Sequence, residues 1–149
     1  MTVNDRCVLL AEDDPNDVYL LQYAFEQAQV QTPLLTVNDG QEAIEYLSGI
    51  GEYSDRIDFP FPRLLILDLK MPRKTGMEVL YWLKQQEVLG CLPTIVLSSS
   101  AHPDDVEQAY RLGVNAFLVK PGGTSERTAL AKMINDFWLK LNEPPRICR

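Results

Sequence analysis

The sequence predicts an α/β fold: a single (βα)5 unit with five parallel strands in one doubly wound sheet. Three observations lead there. Short apolar runs of strand length alternate five times with stretches of helical periodicity along the 149 residues. The runs are continuously aliphatic rather than alternating, as in strands covered on both faces. Polar residues collect where the runs end, which is the ligand-binding edge of an open parallel sheet. Right-handed crossovers and the commonest strand order for such a sheet, 2-1-3-4-5, put a crevice between strands one and three.

Each element has its own signal. Cys7-Val8-Leu9-Leu10-Ala11 reads as the first strand and runs into Glu12-Asp13-Asp14-Pro15. Asp14 is an N-cap with Pro15 at the first helical position, and Val18, Leu21, Phe25 and Ala28 form the apolar stripe of the helix. Leu34-Leu35-Thr36-Val37 is a second strand, closed by a turn at Asn38-Asp39-Gly40, and a helix through Ala43, Ile44 and Leu47 follows. Over 49–63 the pattern stops in a long inserted loop carrying an apolar knot, Phe59-Pro60-Phe61-Pro62. Leu64-Leu65-Ile66-Leu67 is a third buried strand ending on Asp68, and Thr75 caps a helix carrying Met77, Leu80 and Leu83. Thr94-Ile95-Val96-Leu97 leads into Ser98-Ser99-Ser100, and a helix opening at His102-Pro103 ends at Gly113. Ala116-Phe117-Leu118-Val119 is the fifth strand and meets Lys120-Pro121 at once. A last helix starts near Thr124, includes Leu130, Met133, Ile134, Phe137, Trp138 and Leu141, and stops before Pro144-Pro145. The expectation is one domain over 1–149, with its core at about 6–141 and a short C-terminal extension.

The bulk properties narrow the function classes. A hydrophobic fraction of 46% with 23% charged residues is that of a globular chain. A net charge of −7 argues against nucleic acid or an anionic membrane as the main partner, while leaving room for a bound cation. Cys7, Cys91 and Cys148 are scattered with neither disulfide-framework nor zinc spacing, which favours a reducing compartment. No run approaches the ~18 apolar residues of a membrane span, and no apolar segment follows the polar start of the chain. A cytoplasmic location is expected.

The polar residues at the strand ends form a constellation. Glu12 and Asp13 follow the first strand, Asp68 the third, Ser98 the fourth and Lys120 the fifth. Taken singly, each has an ordinary explanation as a turn, cap or surface residue. Together on one sheet edge they suit phosphoryl transfer to a carboxylate. Asp68 would be the nucleophile. Asp13, with Glu12 acting partly through water and the backbone carbonyl of Lys70, would hold a divalent cation, and such a donor set fits Mg2+ better than Ca2+. The Ser98 hydroxyl and Lys120 ammonium would take the remaining phosphate oxygens.

These motifs resemble those of response-regulator receiver domains, a flavodoxin-like fold. The likeness rests on Leu10-Ala11-Glu12-Asp13-Asp14, Leu67-Asp68-Leu69-Lys70-Met71-Pro72 with Gly76, Val96-Leu97-Ser98-Ser99 and Phe117-Leu118-Val119-Lys120-Pro121. The separations of 30 residues from Asp68 to Ser98 and 22 from Ser98 to Lys120 are similar too. The resemblance implies that Asp68 takes phosphate from a phosphohistidine of a sensor histidine kinase, with Mg2+ as the cation. It makes Ser98 the switch hydroxyl and Phe117 the switch aromatic, lacking the hydroxyl of a Tyr. The insertion at 49–63, the segment Met71-Pro72-Arg73-Lys74-Thr75-Gly76 and Asp136-Phe137-Trp138-Leu139 resemble a narrower group, the single-domain regulators that partner cyanobacterial phytochromes.

Rival readings are weaker. A haloacid-dehalogenase-type phosphatase needs a second Asp two residues after the nucleophile, where this chain has Lys70. A flavodoxin needs a hydroxyl- and Gly-rich phosphate loop where this chain has Glu12-Asp13-Asp14. A receiver-like docking module that is never phosphorylated remains the alternative. His102, the sole histidine, reads as a loop residue. The adjacent Phe137 and Trp138 point about 100° apart on a helix. One of them, with Phe59 or Phe61, is expected in a partner or homodimer interface.

Overall fold

The structure, a computed structural model, describes residues 6–146; Cys148 and the first five residues lie outside the described residues. Five parallel strands form one sheet in the order β2-β1-β3-β4-β5. They are β1 (Val8–Ala11), β2 (Leu34–Val37), β3 (Leu64–Leu67), β4 (Thr94–Ser98) and β5 (Ala116–Val119). The intervening helices are α1 (Pro15–Gln27), α2 (Gly40–Ser48), α3 (Gly76–Lys84), α4 (Pro103–Arg111) and α5 (Thr124–Met133), with α5 continuing as wider π-type turns over Ile134–Leu141. The flavodoxin-like order read from the sequence is the observed one. Among the described residues, no helix is long and apolar enough to cross a membrane.

Alternate strand residues feed two cores. Leu9, Ala11, Leu65, Leu67 and Val96 face one way, toward Ala43, Leu47, Val79, Leu80 and Ala109 of α2, α3 and α4. Val8, Leu10, Leu64, Ile66 and Ile95 face the other way, toward Leu21, Phe25, Ala131 and Ile134 of α1 and the last helix. All four residues of β3 are fully buried. At about 1.5–3 kcal/mol for each buried aliphatic side chain, this strand is strongly held, and with it the residue that follows.

The caps fall where side-chain chemistry places them. The Asp14 carboxylate accepts from Asn16 N at 2.9 Å, and Thr75 and Glu78 form a reciprocal capping box on α3. His102, expected in a loop, is the N-cap of α4, with its Nδ1 accepting from Asp104 N at 3.2 Å. Asp39 and Gly40 do more than close a turn: Asp39 caps α2 through Glu42 N at 2.8 Å, and Gly40 is the first helical residue. Asp39 also receives a two-pronged bond from Arg73, at 2.8 and 3.2 Å. Gly40 N donates to Lys74 O at 3.1 Å. The loop after Asp68 is thereby tied to the start of α2.

The aromatic residues correct one expectation. Phe61 is buried at 5% exposure, and the Phe59 ring stands edge-on to Tyr46 and Tyr53, at 6.1 and 5.1 Å between centroids. The Tyr46 hydroxyl donates to Pro60 O at 2.8 Å. The apolar knot therefore closes the inserted loop onto α2, and Phe61 is not available as an interface residue. The last helix departs the other way. Trp138 packs on the α1 side of the core, whereas Met133, Phe137 and Leu141 of the same helix lie 67%, 51% and 75% exposed. In the π-type turns Asn142 N reaches back to Phe137 O, and the helix turns only Ile134, Asn135 and Leu139 fully inward.

Candidate functional site

The parallel ladders continue one residue beyond the strands and fix the backbone of the site. Asp68 N donates to Ala11 O at 3.1 Å, Glu12 N to Val37 O at 3.0 Å and Lys120 N to Ser98 O at 2.7 Å. Because Ala11 is in register with Leu67, Glu12 and Asp68 leave adjacent strands side by side, at the crevice between β1 and β3. Asp68 is 8% exposed, and its Oδ1 accepts from Leu69 N at 2.7 Å, leaving Oδ2 turned toward Lys120. Gly76 is required here for close approach. A Cβ at that position would lie 2.3 Å from Asp68 O, so only glycine lets the start of α3 come this near.

The Lys120 ammonium is the hub. It lies 2.5 Å from Glu12 Oε1, 2.8 Å from Asp17 Oδ2 and 3.2 Å from Asp68 Oδ2. Burial works against its charge, but hydrogen bonds to Asp17 and Glu12 outweigh that and hold the ammonium above its ordinary range. Glu12 is buried, and loss of solvent pushes its carboxyl up to about 7; the neighbouring Asp68 adds to the rise while Lys120 opposes it. Carboxylate oxygens of Glu12, Asp13 and Asp68 lie within 4.8 Å of one another. Three oxygen donors of that kind, one of them exposed, fit a hard divalent cation that keeps part of its water.

The other expected residues fall nearby with differing involvement. Lys70 is exposed, two residues beyond Asp68. Ser98 closes β4, is 4% exposed, and its Oγ accepts from Ser100 N at 3.3 Å, which leaves its O–H available to donate. Phe117 is half-buried and packs on the core of the α2–α3–α4 side. Asp17 is the site residue that sequence reasoning missed. Its one sequence signal is its place three residues after the Asp14 cap, where an acidic side chain also suits the first turn of a helix.

Comparison with known proteins agrees with this geometry. Residues 8–135 match the family model of the response regulator receiver domain. The response regulator Rcp1 of Synechocystis sp. is 35% identical over 135 residues, covering 91% of this chain and 90% of that one. The probable methanogenesis regulatory protein FilR2 of Methanothrix harundinacea is 33% identical over 138 residues, covering 93% and 86%. The crystal structure of the phosphorylated cyanobacterial phytochrome response regulator RcpA superposes with a TM-score of 0.86 at 36% identity, covering 95% of this chain and 99% of RcpA. Rcp1 in its Mn2+-bound form gives 0.83 at 34%, covering 94% and 99%. From Asp68 and its neighbours to nearly the whole length of these relatives, the chain belongs to the response-regulator receiver family, whose domains bind a divalent metal and are phosphorylated by histidine kinases.

Proposed function

We infer that Asp68 accepts a phosphoryl group from the phosphohistidine of a phytochrome-type sensor histidine kinase, and that the change of charge at Asp68 is the signal. The observation that carries this reading is the buried Asp68 carboxylate held 3.2 Å from Lys120 and within the Glu12–Asp13 acidic group. In the transfer, an Asp68 oxygen forms a bond to phosphorus. The nitrogen–phosphorus bond of phosphohistidine breaks, and its electron pair stays on the imidazole. Mg2+, held by Glu12, Asp13, Asp68 and the Lys70 carbonyl, would neutralise charge on the phosphoryl oxygens when bound. Lys120 donates to one phosphoryl oxygen, and the Ser98 hydroxyl, released from Ser100 N, donates to another. Movement of Ser98 opens space beside β5, and Phe117 follows it inward.

The phytochrome assignment draws on the likeness to RcpA, and FilR2, of similar identity, bears a different regulatory name. Timed transfer of labelled phosphate from an autophosphorylated cyanobacterial phytochrome kinase, against an unrelated kinase, tests it. Fast transfer from the phytochrome alone supports the pairing, and equal or slower transfer contradicts it.

The signal leaves the protein through a homodimer. Met133, Phe137 and Leu141 follow one another at intervals of four along the last helix and form an exposed apolar stripe, with Phe137 edge-on to Trp138 at 4.9 Å. Of the two adjacent aromatic residues, Phe137 would make this contact, with Trp138 behind it against the core.

A further inference from the structure

The Lys120 ammonium has three N–H donors, and its three carboxylate partners are not equivalent. Glu12 and Asp68 belong to the group whose oxygens lie close enough to share a cation; Asp17 does not. Lys120 and a divalent cation therefore compete for Glu12 and Asp68. An ammonium at 2.5 and 3.2 Å occupies the oxygens that the cation needs. Asp17, at 2.8 Å, is the one carboxylate that attracts Lys120 without being wanted by the metal. Its position is firm, because α1 is anchored by the buried Leu21, Ala24 and Phe25. Asp17 and Lys120 line the same small cavity, whose apolar wall of Leu10, Leu21 and Leu97 strengthens the ion pairs inside it.

We propose that Asp17 is a positioning residue that parks Lys120, so that Glu12 and Asp68 are free to take the divalent cation before phosphorylation. This rests on the reading of Glu12, Asp13 and Asp68 as the cation ligands. When the cation arrives, Lys120 gives up Glu12 and turns to Asp17. It stays within reach of Asp68 and can close on a phosphoryl group there. Without Asp17 the ammonium falls back on Glu12 and Asp68 and holds the cation out.

The test is a calorimetric titration with MgCl2 of four full-length proteins: wild type, Asp17→Asn, Lys120→Met and the double variant. Asp17→Asn is expected to weaken Mg2+ binding about tenfold, the scale of residues that act through a ligand's neighbour. In the Lys120→Met background the same change is expected to matter less than about twofold, because no ammonium is left to park. Asp17→Glu keeps the carboxylate and should restore most of the affinity; Asp17→Ser repeats the test if Asn disturbs the first turn. Unchanged affinity in Asp17→Asn overturns the proposal. So does an equal loss with and without Lys120, which would be the plain effect of a removed charge. If Asp13→Asn also binds Mg2+ like wild type, the underlying ligand assignment fails, which is a separate result.

Discussion

Lys120 Nζ lies 3.2 Å from Asp68 Oδ2, joining the ends of β3 and β5 across the end of β4 between them. In the unphosphorylated protein this ammonium offsets the negative charge of Glu12, Asp17 and Asp68. Replacing Lys120 by Met leaves those carboxylates facing one another in a mostly buried site. The variant is expected to fold but to lose about 1–3 kcal/mol, less than for a fully buried pair because the site is partly open to water. Millimolar MgCl2 should return much of that loss by supplying positive charge. Urea unfolding with and without MgCl2 measures both effects. A loss that Mg2+ does not touch would point to packing rather than charge.

Asp13 is the exposed member of the cation group, and its substitution should leave the core undisturbed. Asp13→Asn is expected to weaken Mg2+ binding at least about tenfold through the lost charge, with little change in the unfolding midpoint. Unaltered affinity in a calorimetric titration would remove Asp13 from the ligand set.

The pH dependence follows from Glu12. With its carboxyl pushed up to about 7, the folded metal-free protein keeps a proton that the unfolded chain has already released. Stability of the metal-free protein should therefore fall as pH rises from the ordinary carboxylate range through about 7. Cation binding has the opposite dependence, because it needs Glu12 ionised. Mg2+ affinity should be roughly tenfold weaker at pH 6 than at pH 8, and Glu12→Gln should flatten the profile. A wild-type affinity that is level across this range would contradict the linkage.

Gly76 shows how closely the fold is drawn around the acceptor. Gly76→Ala places a methyl group 2.3 Å from Asp68 O and 2.8 Å from Leu69 Cα, both backbone atoms that cannot step aside alone. The substitution is expected to cost about 1–3 kcal/mol and to slow phosphorylation by moving Asp68. An unfolding midpoint equal to wild type would show that α3 shifts freely.

The apolar stripe on the last helix makes a claim about association. Phe137→Glu should leave the fold intact, since the ring is half exposed, and should shift the protein toward monomer. Sedimentation of wild type and variant, with and without phosphodonor, measures this. A wild type that stays monomeric at high concentration in both states would sink the dimer.

What was legible in the sequence was what depends on local order. Each strand end can be located from its aliphatic run, so Glu12, Asp68, Ser98 and Lys120 could be collected on one edge before any coordinates. Asp17 escaped because it sits one helical turn away from a strand end, where an acidic residue already has a capping explanation. The inward fold of Phe59 depends on contacts with Tyr46 and Tyr53, and that of Phe61 on the buried core and Arg56, which chain spacing does not reveal. The last helix is legible only in part for a related reason. Its run is apolar on several faces, and only packing against α1 and the sheet decides that Ile134 and Leu139 turn inward and Phe137 does not.

Covalent phosphate at Asp68 is the most direct measure of the proposed function. Wild type and Asp68→Asn are to be incubated with acetyl phosphate and MgCl2, and their masses compared without delay. One phosphoryl group on wild type, lost in Asp68→Asn and absent when EDTA replaces MgCl2, is the predicted result. A wild type that gains no mass, or an Asp68→Asn protein labelled as well as wild type, would contradict it; the first outcome would leave a docking module that acts by contact alone.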